Sequence, residues 1–148
     1  MNTDNIISIL NDLIETSKDG EEGFYACAAD ASDPQLRTFF SNRAQACAVA
    51  VRELQELVRR YGGDPENSSS LGGAVHRRWL DIKALVTGKD DRAVLQECER
   101  GEDIAVASYR NALGRSLPLD VREVVEKQFE GVQRNHDAVK SLRDQYRA

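Results

Sequence analysis

Four residues of this chain have the type and spacing to act together: Glu21, Arg43, Glu102 and His136. Counted in helical steps, Leu95, Cys98, Glu102, Ala105, Tyr109 and Ala112 share one stripe, so Glu102 places a carboxylate inside an apolar face. Each of the other three interrupts an apolar stripe in the same way, near the middle of its own segment. Carboxylates and an imidazole at one level are ligands for iron or manganese, and Glu21, Glu102 and His136 are the residues that would hold one ion. Arg43 points to a different outcome. Its planar fork pairs with carboxylates, and a permanent cation there would repel a metal. A carboxylate buried without a partner costs several kcal/mol, so it must either be neutralised or recruit a cation. The reading favoured here is a buried polar cluster of Glu21, Arg43, Glu102, Gln133 and His136.

These residues are carried on helices. Strand-type alternation is absent, and the punctuation is that of a helical protein. The periodicity predicts long amphipathic helices over about Thr3–Ala31, Pro34–Tyr61, Asp91–Arg115 and Leu119–Tyr146. Pro34 and Pro118 stand where helices begin, and Gly62-Gly63 where one ends. Asn2, Thr3, Asp4, Asp90 and Asp91 are capping candidates. Gly20 and Gly23 allow a kink or break in the first helix. The stretch 62–90 is a crossover, with a loop rich in Gly and Ser and a short helix at about Ala74–Val86. The short links at 32–33 and 116–118 make antiparallel neighbours, and the long one can traverse a bundle. The expected fold is all-α: a single ferritin-like up-down four-helix bundle of two antiparallel hairpins.

A bundle of that kind that holds two metals takes a Glu from each of two helices and Glu-x-x-His from each of the other two. Here Gln133 stands three residues before His136, Glu130 is six before it, and the second helix has no histidine. Two metals are therefore not expected. The stretches "LNDLIETSKDGEEGF", "HRRWLDIKALVTGKDDRAVLQECERGED" and "LPLDVREVVEKQFEGVQRNHDAVKSLRD" together resemble a bacterial family of ferritin-like four-helix-bundle proteins of unknown function. The resemblance spans nearly the whole chain and implies the fold. Of the wider superfamily's metal ligands it carries over only the acids of the first and third helices and His136. The expected role is a non-catalytic structural or interaction protein with no cofactor, related to stress by analogy with the superfamily. The rival is a metal-dependent oxidoreductase or iron-handling protein that uses iron or manganese.

The totals set the remaining bounds. The 148 residues fit one domain, and a net charge of −5 without a basic tract argues against nucleic acid. Cys27, Cys47 and Cys98 lie among small apolar residues and read as buried free thiols. No signal sequence or membrane span is seen, so the expected location is the cytoplasm. A homodimer is the expected assembly. His76, Arg77, Arg78 and Trp79 form a candidate interaction patch, since Trp and Arg are enriched at binding hot spots. Gly101, inside a helix, implies close packing, with Phe24 or Tyr25 as the candidate neighbour. No nucleophile elbow, phosphate loop or zinc spacing occurs, so hydrolytic and nucleotide chemistry are not indicated.

Overall fold

Asn2, Asp33 and Asp90 each start a helix by accepting a hydrogen bond from a first-turn backbone N–H, at 2.8 Å from Asn5, 2.8 Å from Gln35 and 2.9 Å from Ala93. The computed structural model describes residues 2–65 and 90–146. Among them are four helices and no strand: α1 (Thr3–Asp30), α2 (Pro34–Arg60), α3 (Asp91–Leu113) and α4 (Leu119–Gln145). The ends fall within two residues of the sequence expectation. The short helix Ala74–Val86 and the patch His76–Trp79 lie outside the described residues. No described helix is long and apolar enough to cross a membrane.

The helices form two antiparallel hairpins, α1/α2 and α3/α4. α1 also packs on α3 and α2 on α4, and the α2–α4 contact is the sparsest of the four. Residue pairs set the directions. Thr16 meets Ser108 while Cys27 meets Cys98, so α1 and α3 are antiparallel. Asp91 at the start of α3 accepts from the N–H groups of Ser32 and Asp33 at 2.7 and 3.0 Å, which pins it to the α1–α2 link. α2 therefore ends and α3 begins at opposite ends of the bundle, an up-down-down-up order.

α1 runs unbroken through Gly20 and Gly23, against the expected kink. Both glycines are buried, and a Cβ on Gly20 would stand 3.1 Å from Cys47 Sγ. Gly20 thus lets two helices approach without bending the first. The core falls into two apolar clusters. One is built on Phe24, Leu36, Phe40, Leu95 and Val139, the other on Leu10, Leu13, Leu54, Tyr109 and Val125. The three thiols are free and buried, and those of Cys27 and Cys98 face each other between α1 and α3.

α2 ends in a Schellman turn. Gly62 N–H donates to Arg59 O at 3.0 Å and Gly63 N–H to Val58 O at 2.9 Å, with Gly62 at φ 82°. The two glycines are needed for different reasons, and urea denaturation will separate them. Gly62→Ala has open space but a left-handed backbone, and is expected to cost about 1 kcal/mol. Gly63→Ala places a Cβ 2.9 Å from Ile7 Cγ2 and Val58 Cγ1, and is expected to cost more, about 1–3 kcal/mol.

Candidate functional site

The level between the two apolar clusters is polar. Glu102 on α3 is 1% exposed, and Arg43 on α2 reaches it from the diagonally opposite helix, Nε to Oε1 at 3.5 Å. The Arg43 side chain is 13% exposed, and its guanidinium lies over the Phe24 ring at 5.8 Å. Burial raises the Glu102 pKa, opposed by the charge of Arg43 and by the Asn135 side chain on α4. Oε2 of Glu102 has no hydrogen-bond partner among the described residues. Two turns further along α3, Tyr109 OH donates to Gln128 Oε1 at 2.8 Å and lies 3.3 Å from Ser17 Oγ. Burial pushes the Tyr109 phenol up to about 12 and the Cys47 thiol up to about 11.

Beside this layer lies a cavity of about 280 Å³, lined from all four helices. Arg43 and Glu102 stand on its wall with Phe24, Cys47, Tyr109 and Val132. Small residues hold it open: Gly20, Ala46, Ala50, Gly101, Ala105 and Gly131. Sealed and dry, a 280 Å³ void would cost roughly 7 kcal/mol at about 24 cal/mol per Å³. The exposed lining residues Ala46, Val49 and Glu53 on α2 and Lys127 on α4 open it to solvent on the side where those helices touch least.

The expected cluster contracts. Arg43 and Glu102 meet, but Glu21 is only half-buried and Gln133 is exposed. His136, 26% exposed, turns outward to Asp103, Nε2 to Oδ1 at 2.7 Å. Asn135 takes its place inside. The reason is where the three- and four-residue steps fall along the helix. The buried faces follow a 3.5-residue repeat, which in α4 reads Val121, Val125, Gln128, Val132, Asn135, Val139. Stepping four residues twice in succession, from Val121 through Val125 to Phe129, puts the count one residue late and selects His136. That seam is the signal that would have found Gln128 and Asn135. Gly101 faces the cavity with Phe24, while Tyr25 is 45% exposed. Arg100 pairs with Glu97 on its own helix at 3.6 Å, and Glu99 accepts from Arg143 Nη1 on α4 at 2.6 Å.

The residues present do not fit the metal centre that the superfamily implies. No group of three His, Cys, Asp or Glu side chains converges among the described residues. The deepest carboxylate is instead engaged by a guanidinium.

The hairpin pairing, helix order and polar mid-level layer define a ferritin-like four-helix bundle. A solved two-domain protein from Anabaena variabilis ATCC 29413, containing DJ-1/ThiJ/PfpI-like and ferritin-like domains, superposes with a TM-score of 0.81 at 15% identity. The match covers 100% of this chain and 42% of that one, so the chain spans less than half of its neighbour, and the likeness is one of fold. Residues 5–115 match the family model described as Domain of unknown function (DUF2383), and the chain belongs to that family. No curated protein matches.

The pairing has a measurable consequence. Arg43→Met leaves a carboxylate that is 1% exposed without its cation, and is expected to cost about 3 kcal/mol at pH 7.5. Glu102 already has a folded-state pKa raised by burial, and losing Arg43 raises it further. The stability it contributes is present below its unfolded pKa and lost as pH rises through the folded value. The deficit of the variant should therefore shrink towards pH 5. Urea denaturation of both proteins at the two pH values reads the difference.

Proposed function

We propose that this protein is a non-catalytic binding and structural bundle in which the Arg43–Glu102 pair stands where a metal-bearing relative would hold its ions. The observation that carries this reading is the guanidinium against a buried carboxylate, Nε to Oε1 at 3.5 Å. A fixed positive charge at the deepest acid removes the electrostatic attraction a divalent ion needs, and it does so without a proton equilibrium to reverse it. The second support is the imidazole. His136 is the one histidine of the long helices, and its Nε2 is taken by Asp103 on the outer side of the α3–α4 pair. With neither an open ligand set nor a nucleophile beside a base among the described residues, the interior offers recognition rather than turnover. A cytoplasmic setting suits the free thiols. The homodimer stays part of the proposal, and light scattering addresses it.

Elemental analysis of protein purified from cultures supplied with iron and manganese tests the reading. The expected content is below roughly 0.1 metal ion per chain, far short of the stoichiometric loading of a true centre. About one tightly held iron or manganese per chain, lost in Glu102→Gln, would establish the rival iron-handling or oxidoreductase role.

A further inference from the structure

We propose that the interior cavity binds a small amphipathic carboxylate, with its anionic group on Arg43 and its apolar body in the gap between α2 and α4. The first ground is an unused part of the guanidinium. Among the described residues Arg43 donates only through Nε, to Glu102, while the side chain lines the cavity and stays 13% accessible. That leaves the Nη edge, on the cavity wall, with no acceptor among the described residues. A carboxylate matches such an edge with two parallel N–H···O bonds.

The neighbouring acid competes for the guanidinium from one side only. Glu102 touches the guanidinium from its Nε side and is 1% exposed, so it presents almost no surface to a ligand. At the mouth, Glu53 accepts from Gln128 Nε2 at 3.0 Å, and exposed Lys127 adds a second positive charge on the entry path.

The shape of the cavity supplies the other half of the ligand. Ala50, Gly101, Ala105 and Gly131 line it from three helices, at positions where larger side chains would close the bundle. Phe24 and Val132 complete an apolar wall. Walls of that kind suit a hydrocarbon chain or ring and disfavour a sugar phosphate, which would lose its hydration without replacement. At about 280 Å³ the space lies at the low end of organic-ligand pockets, so the body is small. The inference rests on the ion-pair reading of Arg43, and metal content measured on the same samples keeps the two apart.

Isothermal titration calorimetry with octanoate, and with 1-octanol as the uncharged counterpart, is the test. Binding of one octanoate per chain is expected, with octanol weaker by roughly tenfold or more. Arg43→Met should erase that preference, and circular dichroism shows whether it folds. Ala105→Phe fills the cavity without touching the ion pair, and should abolish binding of both. Equal affinity for octanol and octanoate, several octanoates per chain unaffected by Ala105→Phe, or no heat from the metal-free protein would each overturn the proposal. Stoichiometric metal in the purified protein would overturn the ion-pair reading instead.

Discussion

A carboxylate removed from water must be solvated by something else, and in this bundle Glu102 imposes that requirement on three other helices. Desolvation raises its pKa, and the groups that act against the rise come from two other elements: Arg43 from α2, then Asn135 and, least, His136 from α4. Arg43 in turn rests on the ring of Phe24 from α1, so the cation is held by an aromatic face as well as by the acid. One buried charge thereby ties all four helices at a single level. It also splits the apolar core, since neither cluster of buried hydrophobic residues extends through the layer.

The ends of the bundle carry what the middle gives up. Tyr61 at the end of α2 donates to Asp120 at the start of α4, at 2.8 Å, and Tyr146 at the end of α4 donates to Asp33 at the start of α2. The two bonds are reciprocal, one at each end of the same helix pair. Each tyrosine is pushed up, by its aspartate's hydrogen bond at Tyr146 and first by burial at Tyr61, while both aspartates are held below their ordinary value by the phenol. Clamped at both ends, α2 and α4 can stand apart between them without separating. The cavity occupies that stretch, and this is why the sparsest helix contact does not weaken the fold as a whole.

Much of this architecture is legible in the residues. Pro34, Pro118 and the Gly62-Gly63 pair mark helix ends because each acts through local backbone geometry, which tertiary packing does not override. Glu102 and Arg43 are readable because a charge on an apolar stripe must be answered. The companions of that pair were harder to read. Glu21, Gln133 and His136 sit one to two residues from Gly20 and Asn135, and a step of three rather than four at a single turn decides which of them is read as facing inward. The cavity leaves no trace in any single stripe. It arises where small residues on separate helices coincide in depth, a property of the assembled bundle.

A buried ion pair adds little to stability when compared with well-packed apolar residues of the same volume, because desolvating both partners offsets most of their attraction. The Arg43–Glu102 pair, joined through a single 3.5 Å contact and leaving Oε2 unpartnered among the described residues, is a weak form of that arrangement. Small residues that hold a cavity open act in the same direction, since they forgo burial that larger side chains would supply. Both features cost stability at the same depth of the same bundle, the level at which ferritin-like bundles carry their metal chemistry. Packing therefore does not account for them. A guanidinium edge directed at an apolar space does, because recognition of an anion needs a desolvated donor and room beside it.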